Sequence, residues 1–226
     1  MKTLVFDAST IISLAMNNFL WILKPLKEKY KGEFYITPEV KEEIIDVPIK
    51  IKKFKLEAIQ IQEIIDKGII KIYPEHLLNK EEELKSIVNQ IFFVKDQYMS
   101  IIDRGELSAL VLAKEINADA VVIDERTTRL IIENPELLAN IFRNKLHTKV
   151  KVNENNLKQF LKEFSNIKIF RSTELSIIAY ELGILDKYTN SNVINKKEML
   201  EAIIWGMRFK GCSISDDEIN EILKMK

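Results

Sequence analysis

The sequence predicts an α/β fold built on a parallel sheet. Two apolar runs, Leu4–Phe6 and Ala118–Ile123, are continuous rather than alternating, as in strands covered on both faces. Each run stops at an acid, Asp7 in the first case and Asp124-Glu125 in the second, and a helical pattern starts directly afterwards. Helix-period segments separate the runs, so the strands must be joined by crossovers. In open α/β sheets, the carboxyl ends of the strands are where ligands bind.

Taken in order, Ile11, Ile12, Leu14, Ala15 and Leu20 predict a helix after the first strand, with a second helical stretch to about Tyr30, broken by Lys31-Gly32. Phe34-Tyr35-Ile36 reads as a short strand. Thr37-Pro38 starts a helix, Thr as N-cap and Pro at the first helical position, with Val40 and Ile44 on its buried side. Pro48 ends it. A further helix is expected around Leu56, Ile59, Ile61 and Ile64-Ile65, closed by Gly68, and Ile69–Tyr73 is expected to be a strand. Residues 80–101 are expected to form one long amphipathic helix bearing Leu84, Ile87, Val88, Ile91 and Phe92. The Leu107–Ala113 helix then feeds the Ala118–Ile123 strand, and another helix begins near Arg126. Residues 133–165 hold two helical patterns, the second carrying Leu157, Phe160, Leu161 and Phe164. Ile167–Phe170 is the last strand. Helices follow over about 174–182 and 196–207, and a final short one is capped by Ser215 with Glu218 three residues on.

The 226 residues suffice for a real core. Lys+Arg and Asp+Glu balance at 34 each, so no strong net field draws the chain to nucleic acid, although a local basic rim can coexist with an acidic pocket. The single cysteine, Cys212, excludes an intrachain disulfide, and no Cys/His cluster is present for structural zinc. Asp7 cuts the first apolar run, unlike a signal peptide. Ile11–Leu23 is interrupted by Asn17 and Asn18 and is too short to cross a bilayer. A cytoplasmic protein without a membrane partner is expected. No repeat or flexible linker divides the chain, and one domain over 1–226 is expected.

Asp7, Glu43, Glu106 and Asp124, with Glu125 beside it, form the candidate constellation. Singly, each is explained as a helix cap or first-turn acid, and Asp103-x-x-Glu106 is a capping-box variant. Jointly they lie at junctions that a parallel sheet brings to one edge. At 3.6 residues per turn, Glu42 points away from the Val40/Ile44 face and Glu43 borders it. Carboxylates gathered in one pocket need a counter-charge, and all-oxygen ligands suit Mg²⁺ or Mn²⁺.

With these residues the sequence resembles the PIN-domain family of metal-dependent ribonucleases. The pieces that carry the resemblance are Val5-Phe6-Asp7-Ala8-Ser9, residues 37–44 (TPEVKEEI), residues 105–113 (GELSALVLA) and residues 118–129 (ADAVVIDERTTR), and the tail is similar to one branch of the family. The resemblance implies a three-layer α/β/α fold with a mainly parallel sheet, in which residues about 46–66 and 133–165 are helical insertions. It implies a Mg²⁺- or Mn²⁺-dependent endoribonuclease, with Asp7, Glu43 and Glu106 as the first three acids and Asp124, favoured over Glu125, as the fourth. Ser9 then supports Asp7 or a metal-bound water. An RNA substrate is the expected partner, and two insertions lean toward RNA processing rather than a toxin.

Other readings stand beside this one. A non-catalytic PIN-like scaffold binding RNA or protein is one, and a structure-specific DNA nuclease another. An aspartyl-phosphate phosphatase is disfavoured because Ser9 occupies the second acid position of that pattern. Arg104, Arg126 and Arg129 flank the acids and are candidates for substrate phosphates, or else ordinary solvated charges. The 133–165 insertion is locally basic, through Arg143, Lys145, Lys149, Lys151, Lys158 and Lys162. A homodimer, or a protein partner held by this insertion, is the candidate protein contact. His76 and His147 lack partners at ligand spacing. Cys212, Trp21, Trp205 and the Leu157–Phe164 stripe are expected to be packing residues.

Overall fold

Strand β1 (Thr3–Phe6) is buried along its whole length and lies at the centre of the main sheet. A computed structural model describes residues 2–75, 78–189 and 195–225. After β1 come α1 (Ala8–Met16), a 3₁₀ turn at Leu20–Ile22, α2 (Leu23–Tyr30) and β2 (Glu33–Ile36). Lys31 ends α2 in the left-handed region, at φ 57°. Then α3 (Pro38–Lys41) runs straight into a π-helical turn, Glu42–Asp46, followed by α4 (Lys55–Asp66) and β3 (Lys71–Ile72). The Thr37 hydroxyl accepts from Val40 N at 3.1 Å, so the Thr-Pro start forms as its chemistry dictates. Gly68 turns the chain between α4 and β3 at φ 66°, which a side chain would strain.

Next come α5 (Leu78–Val88), β4 (Phe92–Val94), β5 (Gln97–Tyr98), α6 (Arg104–Glu115) and β6 (Ala120–Val122). The remainder is α7 (Arg126–Glu133), α8 (Pro135–Leu146), β7 (Lys151–Val152), α9 (Glu154–Phe164), β8 (Ile169–Phe170), α10 (Ser172–Glu181), α11 (Lys196–Phe209) and α12 (Asp216–Lys224).

The main sheet has the order β3-β2-β1-β6-β8, with every pair parallel. Leu4, Phe6, Phe34, Ile36 and Val122 face a layer that includes α1, α4, α10 and α11. Val5, Val121 and Ile123 face the opposite layer, which includes α5, α6, α8 and α9. The architecture is therefore three-layered α/β/α, as expected. After β1 the chain adds β2 and β3 on one side, then returns to place β6 on the other. The crevice between β1 and β6 is thus the switch point of the sheet.

One expected element is corrected. Residues 80–101 are not a continuous helix: α5 ends at Val88, and β4 and β5 form a hairpin. Phe92-Phe93-Val94 is a β-favouring triplet, and Lys95 and Asp96 take φ of 47° and 64°, the two positive angles a two-residue hairpin requires. With β7 they make a second, antiparallel sheet, β5-β4-β7. Leu56 and Ile59, expected on the packed side of α4, are exposed at 64% and 49%, whereas Ile61 and Ile64 are buried. The Leu157/Phe160/Phe164 stripe is internal packing, Cys212 is buried, and Trp21 and Trp205 pack partly buried against core clusters. His147 closes α8 in the left-handed region. His76 lies outside the described residues. Among the described residues, no helix is long and apolar enough to cross a membrane.

The C-terminal helix is tied to the sheet by Arg171, which is 7% exposed. Its guanidinium donates to Glu174, to Glu218 Oε1 at 3.0 Å and to the Ser213 carbonyl at 3.2 Å. Removing one member of a buried pair costs roughly 3–5 kcal/mol. Here both carboxylates keep about a third of their exposure, so water screens what is left behind. Arg171→Ala is therefore expected to lower unfolding free energy by about 2 kcal/mol. A urea midpoint unchanged in that variant would sink this anchoring role.

Candidate active site

The site is built at the switch point, where the carboxyl ends of β1 and β6 lie side by side. Asp7 N donates to Val122 O at 3.0 Å, which fixes Asp7 against β6. Asp7 is also the N-cap of α1: its Oδ2 accepts from Ser9 N at 3.0 Å and from Ser9 Oγ at 2.5 Å. Its other oxygen, Oδ1, is buried and has no hydrogen-bond partner among the described residues. A bare buried carboxylate oxygen is costly unless a proton or cation meets it. Burial raises the Asp7 pKa, the Ser9 bonds oppose this, and the nearby Asp124 charge adds to the rise.

Two more acids feel the charge of Asp7. Glu43 lies in the π-helical turn, a feature often found at functional positions. Its residue is exposed, but the carboxylate end rests on Gly105: a Cβ there would come within 2.5 Å of Glu43 Oε1. Only glycine allows this approach. The Glu43 pKa is pushed up to about 7, first by burial and then by the Asp7 charge, against the lowering pull of the Gly105 N–H. Glu106, in the first turn of α6, is likewise pushed up to about 7 by burial and by Asp7. Its Oε2 accepts from Thr128 Oγ1 at 2.7 Å and Asp103 N at 3.1 Å. The capping explanation of Glu106 and its place beside Asp7 therefore both hold. Thr37 Oγ1 and Ser108 Oγ, 2.7 Å apart and buried, bolt α3 to α6 and so hold Glu43 over Gly105.

The two fourth-acid candidates separate. Asp124 is fully buried, and both its oxygens are engaged by Ser172, Oδ1 by the backbone N and Oδ2 by the hydroxyl, each at 2.6 Å. It caps α10 from another part of the chain. Its backbone N also donates to Ser9 Oγ at 3.0 Å, so Ser9 joins the two strand ends. Glu125 is exposed, N-caps α7 through Thr127 N at 3.3 Å, and its charge contributes to raising the Glu106 pKa.

The arginines separate too. Arg104 is half exposed and pairs with buried Glu39 at 3.2 Å. Arg129 pairs along α7 with Glu133 at 3.2 Å. Arg126 is exposed and makes no ion pair among the described residues. Residues missed by sequence reasoning are Ser172, Thr128, and the Thr37–Ser108 pair as a bolt. None carries a local signal, because each acts on a partner distant in sequence.

Among the described residues, no three His, Cys, Asp or Glu side chains stand close enough together to hold a metal ion directly. The chemistry of the donors nevertheless fits a hard cation. The set is all oxygen, Asp7 Oδ1 is bare, and the charge of Asp7 raises the pKa of both Glu43 and Glu106. A cation that retains part of its water shell tolerates such spacing.

The raised pKa values set a sign for stability. Glu43 and Glu106 bind protons more tightly folded than at their ordinary value of 4.5. Between pH 4.5 and about 7 the folded state then holds more protons than the unfolded one, so stability falls as pH rises. Glu33, Asp119 and Glu218, whose pKa values are lowered, lose their stabilising effect only in more acid solution. In EDTA, the urea midpoint is expected to decline from pH 5 to pH 8. A flat or rising midpoint contradicts the crowding of these acids.

A family model described as a PIN domain matches residues 3–139, more than half of the chain. No curated protein and no solved structure matches it. PIN domains are typically nucleases and generally use divalent metals. The chain belongs to the PIN-domain family.

Proposed function

We propose that this protein is a Mg²⁺- or Mn²⁺-dependent endoribonuclease. The observation that carries the proposal is the bare, buried Oδ1 of Asp7, with Glu43 and Glu106 both driven to about pKa 7 beside it. Repelling carboxylates around an unsatisfied oxygen are what a divalent cation relieves. Asp7, Glu43 and Glu106 would hold it in part through waters of its own shell, with Glu125, exposed beside Asp124, as the fourth acid. When bound, it supplies Lewis-acid stabilisation of the phosphodiester and a more acidic water.

The chain's own residues do the rest. Ser9 fixes the Asp7 rotamer through Oδ2 and leaves Oδ1 without a hydrogen-bond partner among the described residues. Gly105 N–H and Thr128 orient Glu43 and Glu106. Arg126, exposed and free of ion pairs among the described residues, would hold a substrate phosphate by its guanidinium fork. Asp124 acts as a positioning residue, because its oxygens belong to Ser172.

Single-stranded RNA incubated with Mn²⁺ is expected to be cleaved, and cleavage is expected to stop in EDTA. Asp7→Asn should lower turnover by at least about 100-fold. Mn²⁺ should also raise Tm at pH 8, by about 5–10 °C at a hundredfold excess over Kd. At pH 5, with Glu43 and Glu106 protonated, that rise should vanish. Absence of both cleavage and the pH-dependent Tm rise refutes the proposal.

A second comparison separates the two fourth acids. Asp124→Asn can keep both bonds to Ser172 and is expected to leave cleavage nearly unchanged. Glu125→Gln is expected to lower metal affinity about tenfold or more. The reverse pattern in a Mn²⁺ titration would return the ligand role to Asp124.

A further inference from the structure

The small antiparallel sheet has two unlike faces. Phe92 and Val94 on β4 and Val152 on β7 point inward and pack in the core layer of α5 and α9. The alternate positions point outward. Phe93 pairs directly with Tyr98 on β5 and with Lys151 on β7. Directly paired residues share a face, so Tyr98, Phe93 and Lys151 form one row across the three strands. The rings of Phe93 and Tyr98 are 5.1 Å apart at 70°, and Lys151 Nζ lies 5.9 Å from the Phe93 centroid. Tyr98 is 49% exposed and Lys151 is exposed.

On this outer face Tyr98 is exposed and Phe93 partly so, and lysines lie around the row. Lys149 is exposed two residues before Lys151, and Lys95 lies on the hairpin turn, where Asp96 is the accompanying acid. Two rings beside cations match the chemistry of an unpaired base on its phosphate backbone, since rings stack on any base and ammonium groups neutralise phosphate.

The row is also close to the acids along the chain. Asp103 is five positions after Tyr98, a reach of at most about 18 Å. The connecting segment is held: Asn89 Oδ1 accepts from Ile101 N at 2.8 Å and Ile102 N at 3.3 Å. Asp103 N in turn donates to Glu106 Oε2. A strand stacked on the row therefore starts no more than about 18 Å from Asp103, whose backbone N is bonded to Glu106.

The geometry points to the Tyr98–Phe93–Lys151 row as a stacking platform for single-stranded nucleic acid, which feeds the acidic site. Its assignment to substrate handling rests on the nuclease reading; binding on the platform does not. The test is anisotropy of a short fluorescein-labelled single-stranded RNA, in EDTA so that no cleavage occurs. Wild type is expected to bind the single strand more tightly than the same sequence in a duplex. Tyr98→Ala should weaken binding at least about fivefold, and Tyr98→Phe should restore it. Phe93→Leu, which keeps apolar volume beneath, should also weaken it. Lys151→Gln should reduce the slope of log K against log salt by about 0.7. Equal binding of single-stranded DNA supports stacking, which any base supplies.

Wild-type affinity in Tyr98→Ala overturns the platform, even if the protein cleaves RNA. Loss of binding in Tyr98→Ala without any cleavage by wild type in Mn²⁺ leaves the platform standing and removes the nuclease reading. A change in the sedimentation of the free protein on Tyr98→Ala, with RNA affinity unaltered, makes the face a contact between copies and overturns the platform.

Discussion

The repulsion among carboxylates around Asp7 is the constraint to which the rest of the structure answers. Asp7 is held buried by its backbone bond to β6 and by Ser9, yet one oxygen has no partner among the described residues. Asp124 adds negative potential to it, and the Asp7 charge in turn presses on Glu43 and Glu106. The fold tolerates this because helix N-termini converge there. Asp7 begins α1, Glu43 sits on Gly105 at the start of α6, Glu125 begins α7, and Asp124 begins α10 from afar. Each terminus turns unpaired N–H groups and partial positive charge toward the acids. The sheet order makes this convergence possible, since the switch between β1 and β6 places the strand ends and the following helices on one edge.

Much of this was legible in the residues, for identifiable reasons. Continuous apolar strands ending at acids fixed the sheet type and the functional edge together. Thr37-Pro38 gave a helix start of known phase, and that phase separated Glu43 from Glu42. The π-helical turn at Glu42–Asp46 was not legible, because an added residue per turn comes from packing rather than propensity. The hairpin at 92–98 was missed for a related reason. Ile91 and Phe92 continue the helical period of Leu84 and Val88, so periodicity and β-propensity disagreed, and tertiary pairing with β7 decided between them.

The least legible point was the division between Asp124 and Glu125. Adjacent acids at a strand end look equivalent in a sequence. What separates them is Ser172, forty-eight positions away, whose N–H and hydroxyl engage both Asp124 oxygens. Likewise nothing in the local sequence distinguishes Arg126 from Arg104 and Arg129; the buried Glu39 and the helical neighbour Glu133 do so by pairing with the latter two.

The cap that Asp124 provides to α10 has an evolutionary corollary. A descendant that abandoned chemistry would be free to replace Asp7, whose unsatisfied oxygen is a liability to folding. It would still be bound to retain Asp or Asn at position 124, without which a helix start deep in the protein loses its acceptor. In such a lineage the persistence of Asp or Asn at that strand end would record architecture, and erosion at Asp7 would be the clearer sign that the acidic site had been given up.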